Sequence, residues 1–298
     1  MRYFIYLSYD GTAYHGWQIQ PNGESVQGVL QRALSLLLRQ EIAVTGAGRT
    51  DAGVHAALMV AHFDTPLPAP PVGGGASFPQ KSSEVRESFS LPEDMQSSPP
   101  RGELERGREL ERGWVYRLNG MLPPDIAIHK IVPVPDDMHA RFSARARTYY
   151  YYVHTRKSPF LRDRSWRLVR TPDFEAMNRA AALLLEYEDF TSFSKLNTDT
   201  KTNICHVRSA RWVQLSDHEW RFEITADRFL RNMVRAIVGT LMEVGRGQLT
   251  LDGFREVIEK KDRCAAGDSV PARGLFLQNV EYCLTPAPSP IGEGSDYL

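Results

Sequence analysis

The chain has 298 residues, of which 42% are hydrophobic and 24% are charged, as in globular proteins and unlike disordered ones. Lys plus Arg and Asp plus Glu number 36 each, so the net charge is zero and a protein coated in basic charge is excluded. No apolar run approaches the roughly 18 residues that a membrane span needs, and we find no signal-peptide cleavage site. Cys205, Cys264 and Cys283 form no C-x-x-C pair, so we expect buried, unpaired thiols in a cytoplasmic protein.

The first elements in chain order are a strand and a helix. Tyr, Phe and Ile dominate the segment from Arg2 to Tyr9, which predicts a strand that ends at the Asp10–Gly11 turn. The segment that follows Ser25, its N-cap, predicts a helix because apolar side chains recur at helical spacing. These side chains are Val26, Leu30, Ala33, Leu34 and Leu37. IAVTGAG and ALMVAHFDT then predict two strands around a glycine-containing loop.

Two segments have the composition of unstructured chain. Pro, Gly, Ser and charged residues fill 68–113, so we predict a mostly disordered, low-complexity insertion there. ELERGRELERG, near its end, is a small internal duplication that predicts a short charged helix. Residues 286–298 predict a flexible tail.

Order returns at Trp114. IAIHKIVPV and RTYYYYVHT predict strands, and Thr171–Pro172 predicts the N-cap and first-turn proline of a helix through DFEAMNRAAALLLEY. CHVRSARWVQL and HEWRFEIT predict strands that turn near Ser216–Asp217. RFLRNMVRAIVGTLMEVG predicts a helix that ends near Gly245, followed by a helix at about 251–261 and the strand GLFLQNVEYC.

Each half of the chain therefore contains a strand, a long helix and further strands. This pattern favours an α+β fold with one mixed sheet and helices on a face. We expect an N-terminal half of residues 1–67 and 114–137, which carries the glycine-containing loop, and a C-terminal half of residues 138–285.

Positive charge is concentrated in residues 139–170, which contain nine Lys or Arg and one acid, Asp163. Aromatic residues alternate with these cations, including four consecutive tyrosines from Tyr149. Cations neutralise phosphates and aromatic rings stack on bases, so this segment favours nucleic-acid binding over an ordinary basic strand. Downstream, helical spacing would place Arg228, Arg231 and Arg235 on one face, which favours an anionic partner over a salt-bridged solvent face.

The loop GAGRTDAGVHA, residues 46–56, carries the most informative chemistry. Its glycines let the backbone approach a ligand closely and adopt positive φ. Arg49 can stabilise the ionised form of Asp51, and an ionised carboxylate in a cleft can act as a nucleophile or a base. The alternatives are a turn with a surface ion pair, or a metal site formed by Asp51, His55 and His62. A phosphate-binding loop of the G-x-x-x-x-G-K-[ST] type is absent.

GRTDAGVHA resembles the catalytic motif of the tRNA pseudouridine synthase A family. So do, in chain order, YDGTAYHGWQ, MVAHFDT, LPPDIAI, ARFSARARTYYYYVH, DFTSF, FLRNMVRAIVG, VGRG and ARGLFL, which together extend over nearly the whole chain. The resemblance implies the pseudouridine synthase fold, a mainly antiparallel sheet, and isomerisation of uridine to pseudouridine at nucleotides 38 to 40 in the anticodon arm of tRNAs. It also implies a homodimer that needs no cofactor or metal.

The resemblance also implies roles for particular residues. Asp51 matches the catalytic Asp, which attacks C1′ or uracil C6 or removes a ribose C2′ proton. Tyr149 matches a tyrosine that stacks on the uracil and can assist loss of the C5 proton. Arg49 matches an arginine that can hold Asp51 ionised and help expel the base, and Arg235 matches one that can pair with Asp51. Backbone contacts to tRNA are expected from Arg145, Arg147, Arg228 and Arg231.

Two features of the sequence depart from the family pattern, and two rival functions are considered beside the synthase. Tyr150 stands where the family often has a basic residue, and the insertion is longer than the family's usual connection. One rival is an RNA-binding protein without activity. The other is a carboxylate-dependent hydrolase of a nucleoside or glycan, which needs a second carboxylate near Asp51, with Asp10 or Asp64 as candidates.

Overall fold

A nine-stranded sheet lies at the centre of the computed structural model, which describes residues 1–65, 112–195 and 202–283. The strands are β1 (Arg2–Tyr9), β2 (Thr45–Gly46), β3 (His55–Asp64), β4 (Ile126–Val134), β5 (Ala144–His154), β6 (Trp166–Arg167), β7 (Val207–Ser216), β8 (Glu219–Ala226) and β9 (Leu275–Tyr282). The helices are α1 (Val26–Leu38), α2 (112–121), α3 (Phe174–Leu183), α4 (Met233–Gly245) and α5 (Leu251–Glu259).

The order of strands in the sheet is β4-β1-β3-β9-β5-β8-β7, with β2 paired to β3 and β6 paired to β5. Only the β3–β9 and β5–β6 pairs among the described strands are parallel, so the predicted mixed, mainly antiparallel sheet is confirmed. Strands from before and after residue 138 meet where His55 of β3 pairs with Phe276 of β9. The loop that precedes His55 therefore lies beside the C-terminal part of the chain.

Helix α1 begins and packs as predicted. The Ser25 side chain accepts a hydrogen bond from the backbone N–H of Gly28, and all five apolar residues of the predicted stripe are buried. The predicted strand IAVTGAG, in contrast, shrinks to Thr45–Gly46. Side chains of α1 explain the difference, because Ser35 and Gln31 accept hydrogen bonds from the backbone N–H groups of Ile42 and Val44. Those N–H groups are not available to a strand partner.

The starts of two helices differ from the prediction. Asp173, not Thr171, caps α3, because its carboxylate accepts a hydrogen bond from Ala176 N–H at 2.8 Å. Helix α4 begins at Met233, because Asn232 has a left-handed backbone with φ of 67°, which an α-helix cannot continue. The prediction of one helical face that includes Arg228 and Arg231 was therefore wrong.

The C-terminal part of the sheet has one face covered by helices. Strand β8 alternates strictly, with Trp220, Phe222 and Ile224 buried and the intervening residues partly exposed. Phe174 of α3 stacks on Trp220 with ring centroids 4.5 Å apart. The same face carries Tyr149, which pairs with Ile224.

Some predictions are corrected or lie outside the described residues. Only Cys205 is buried, whereas Cys264 and Cys283 are exposed. No helix in the described ranges is long and apolar enough to cross a membrane. The predicted insertion falls almost entirely, and the predicted tail wholly, on residues that are not described.

Candidate active site

The loop that carries Asp51 rests on the segment between β1 and α1. Trp17 N–H donates to the carbonyl of Thr50 at 3.2 Å, and Gly53 N–H donates to the carbonyl of Tyr14 at 3.3 Å. The hydroxyl groups of Tyr9 and Thr50 form a hydrogen bond of 2.8 Å. The YDGTAYHGWQ and GRTDAGVHA motifs thus form one structural unit that positions the carboxylate.

Two arginines neighbour the Asp51 carboxylate. Arg235 Nη1 lies 3.5 Å from Oδ2, and Arg231 Nε lies 3.7 Å from Oδ1. These contacts are longer than the 2.7–2.9 Å of a charge-assisted hydrogen bond. The Asp51 side chain is also 28% exposed. Its charge is therefore balanced, while its oxygen atoms keep room to approach a substrate.

Arg235 is held firmly, unlike Arg231. Its Nε donates to the carbonyl of Val270 at 2.7 Å, and Val270 N–H donates to the Arg235 carbonyl at 3.3 Å. The Asn232 side chain donates to Ser269 Oγ at 2.6 Å, which fixes the start of α4 against the same segment. Sequence reasoning assigned Arg231 to the tRNA backbone and missed its contact with Asp51, because that contact depends on the break at Asn232.

Tyr149 lies on strand β5 of the sheet. It is only 8% exposed, and its ring packs at 81° to Phe229 with centroids 5.0 Å apart. Burial raises the pKa of Tyr149 to about 12, against the opposing effect of Arg147, and the charge of Asp51 adds to the rise. The hydroxyl is therefore protonated at neutral pH.

The other arginines expected at the site are placed differently. Arg49 is exposed and forms no ion pair with Asp51, so this pair is not present among the described contacts. Arg145 is exposed and Arg228 is half-buried. Arg147 is half-buried, and in the described ranges its side chain donates only to backbone carbonyls.

His55 and His62 are occupied by structural hydrogen bonds. Gly11 N–H donates to His55 Nδ1 at 3.1 Å, whereas Nε2 faces the carbonyls of Asp163 and Arg273 at 3.0 and 3.2 Å. Asp10 Oδ1 also lies 3.1 Å from Nδ1, and burial lowers the pKa of His55. His62 Nδ1 accepts from Ala140 N–H at 3.1 Å. Within the described ranges, no group of three or more potential ligands is placed to hold a metal ion.

Neither proposed second carboxylate contacts Asp51. Asp10 accepts hydrogen bonds from Thr12 and from Arg164, the latter at 3.1 Å. Asp64 is paired with Arg2 at 2.8 Å. The described contacts therefore do not support the paired-carboxylate hydrolase.

Tyr150, the departure from the family pattern, faces the opposite side of the sheet from Tyr149. The Arg221 guanidinium lies 4.1 Å from the centroid of its ring. This contact supplies a cation beside Tyr150, and Arg221 is in turn paired with Glu223.

Comparison with known proteins agrees with this geometry. A family model described as tRNA pseudouridine synthase matches residues 180–283, which contain both arginines that contact Asp51. A tRNA pseudouridine synthase A from Bacteroides thetaiotaomicron is 53% identical over 283 residues, covering 94% of this chain and 90% of the relative. Relatives of the same name from Bacteroides fragilis and Bacillus subtilis are 51% and 36% identical, and cover 94% and 95% of the chain and 96% and 99% of their own lengths.

The class defined by the fold and site is therefore that of the tRNA pseudouridine synthases. Within this class, the chain belongs to the tRNA pseudouridine synthase A family.

Proposed function

We propose that this protein isomerises uridine to pseudouridine at nucleotides 38, 39 and 40 in the anticodon arm of tRNAs, with Asp51 as the catalytic group. The observation that carries the proposal is the placement of Asp51 in its GRTDAG loop, 3.5 Å from Arg235 and 3.7 Å from Arg231. Membership of the family indicates the reaction class. The two arginines balance the charge of the Asp51 carboxylate, and its side chain stays partly exposed.

The reaction breaks the bond from uracil N1 to ribose C1′, rotates the base, and forms a bond from C5 to C1′. The C5 proton is lost and N1 gains one, so the product has the same atoms as the substrate. One carboxylate is sufficient for the route through C1′ or C6, since no water enters. The absence of a contact between Asp51 and either Asp10 or Asp64 fits this requirement.

The uracil must leave the RNA stack before Asp51 can reach its glycosidic bond, at a cost of a few kcal/mol. Tyr149 offers a ring on which the base can stack, and stacking on an aromatic side chain returns about 1–3 kcal/mol. Because Tyr149 is only 8% exposed, the base must displace the side chains that cover the ring. Phe229 is the aromatic neighbour that would move.

Arg49 has a different proposed role from that of Arg235. It is exposed and not bonded to Asp51, so it is free to contact the RNA and help to expel the base. Arg235 holds the carboxylate from α4. We propose further that the protein acts as a homodimer in the cytoplasm, and that it binds tRNA with exposed cations such as Arg145 and Arg231.

The test is incubation of the purified protein with tRNA transcripts that carry uridine at one of the three nucleotides. Pseudouridine is mapped by carbodiimide modification and primer extension, and free uracil is measured in the same reaction. Pseudouridine without free uracil is expected. Release of uracil would support the hydrolase, and tight binding with neither product would support the inactive RNA-binding protein. Sedimentation at several protein concentrations tests the homodimer.

A further inference from the structure

The Arg147 guanidinium lies where three segments of the proposed active site meet. Its Nη1 donates to the carbonyl of Asp227 at 2.8 Å. Its Nη2 donates to the carbonyls of Ala47 at 2.8 Å and Arg141 at 2.6 Å. A planar guanidinium can bond several acceptors at fixed angles, whereas a lysine ammonium is a point charge on a flexible stem.

Two of these carbonyls, those of Ala47 and Asp227, belong to segments that carry residues of the proposed active site. Ala47 precedes Asp51 by four residues in the same loop, and Asp227 precedes Arg231 by four residues in the segment before α4. Arg147 itself precedes Tyr149 by two residues on β5, so both side chains are on one face of the sheet. One side chain thus joins the carboxylate loop, the tyrosine strand and the segment that leads to Arg231.

No carboxylate pairs with Arg147 anywhere in the described ranges, although the residue is half-buried. Burial lowers the pKa of Arg147. The side chain is nevertheless charged, because an arginine keeps its proton at all ordinary pH values. Burial of a charge is unfavourable unless hydrogen bonds compensate for it. The backbone carbonyls provide this compensation, and they accept hydrogen bonds from three of the five N–H groups of the guanidinium.

We propose that Arg147 is a positioning residue that holds Asp51, Tyr149 and Arg231 in register for the isomerisation, rather than a contact to the tRNA backbone. The inference rests on the proposed function. It predicts that loss of the planar guanidinium slows the chemical step and leaves the electrostatic part of tRNA binding unchanged.

Arg147→Lys tests this prediction, with Arg145→Ala as the matched control on the same strand. In Arg147→Lys we expect a single-turnover rate at least tenfold below wild type, with the Kd for tRNA within twofold. The slope of log Kd against log salt should not change. In Arg145→Ala, which removes a proposed phosphate contact, we expect weaker tRNA binding and a salt slope that is smaller by about 1.

An unchanged rate in Arg147→Lys would overturn the inference. So would a smaller salt slope in Arg147→Gln, because this variant removes the charge on which a phosphate contact depends. If Arg147→Lys melts at a much lower temperature, Arg147→Gln is assayed with added guanidinium ion at a non-denaturing concentration, against equal sodium chloride. Recovery of the rate supports the positioning role, and no recovery contradicts it. Wild type is assayed in parallel, so that failure of the proposed function itself would appear as an absence of pseudouridine in every reaction.

Discussion

Arg235 reaches Asp51 with one nitrogen and anchors itself with another. Its Nη1 lies 3.5 Å from the Asp51 carboxylate, while its Nε donates to the Val270 carbonyl at 2.7 Å. The guanidinium is only 20% exposed, against 58% for that of Arg231. An ion pair made by an anchored and largely buried side chain is screened less by solvent than one made by an exposed side chain. The carboxylate is therefore oriented mainly from α4.

Replacement of Arg235 by Ala should lower kcat about 10²-fold, a size typical of the loss of one preorganised electrostatic partner. Arg231→Ala is the matched control, and its effect should be below about tenfold because solvent already screens that contact. Single-turnover pseudouridine formation measures both. Equal losses of kcat in the two variants would show that the hydrogen bond from Arg235 to the Val270 carbonyl does not contribute to catalysis.

Tyr149 allows stacking and proton transfer to be separated. Because burial raises its pKa to about 12, a phenolate is scarce at neutral pH and stacking should be the main role. Tyr149→Phe should keep kcat within several-fold of wild type. Tyr149→Leu should lose the equivalent of about 1–3 kcal/mol of stacking.

A slow Tyr149→Phe enzyme with normal tRNA affinity would instead assign the hydroxyl to proton transfer, which typically contributes about 10²–10⁴-fold. In that case a tRNA with C5-deuterated uridine would react more slowly than protonated tRNA with the Phe variant. Wild-type behaviour of both variants would mean that Tyr149 is not at the uracil.

Gly16 supports the Asp51 loop through its backbone conformation. Its φ is 90°, and a Cβ at this position would lie 2.3 Å from the Thr50 carbonyl oxygen. Gly16→Ala should cost about 1–3 kcal/mol of stability through strain and should also lower kcat by moving the loop. Gly48→Ala, in the same loop but with no atom within 4 Å of the added Cβ, is the control. Denaturant midpoints and rates are measured together, and similar effects for the two variants would contradict this account.

His62 should make folding stability sensitive to acid. Burial, with a smaller contribution from Arg2, lowers its pKa to about 4 from the usual 6.5. The unfolded chain therefore binds more protons than the folded one between these values, so stability falls as the pH drops from 6.5 to 4. The shift corresponds to roughly 3 kcal/mol at most.

His62→Gln removes this proton and keeps an acceptor for Ala140 N–H. The difference in unfolding free energy between wild type and His62→Gln should change steadily across that pH range and be constant above it. A difference that does not depend on pH would show that the imidazole titrates normally.

Local sequence signals predicted most of the fold. The strand Arg2–Tyr9 and helix α1 follow directly from side-chain periodicity and an N-cap, both of which act within a few residues. The strand IAVTGAG was overestimated because side chains of α1 bind its N–H groups, and this contact between distant segments leaves no local trace. The α4 start was missed because Asn232 tolerates both helical and left-handed backbone.

The arrangement of the candidate site was only partly predictable. The motif resemblance singled out Asp51, Tyr149 and Arg235, and the structure places Arg235 3.5 Å from the Asp51 carboxylate. It gave no means of distinguishing Arg147, which bonds to the backbone, from Arg145, which is exposed, since both are arginines on one basic strand. That difference depends on which carbonyls the fold brings near.

The most direct test of the central claim is pseudouridine formation by Asp51→Asn under single-turnover conditions with tRNA saturated by enzyme. Asparagine keeps the shape of the side chain and its neighbours Arg231 and Arg235, but it removes the carboxylate. Because phosphate contacts supply most of the affinity, the Kd for tRNA should stay within several-fold of wild type. We expect no detectable pseudouridine from this bound tRNA. Appreciable pseudouridine from Asp51→Asn would contradict the assignment of Asp51 as the catalytic group.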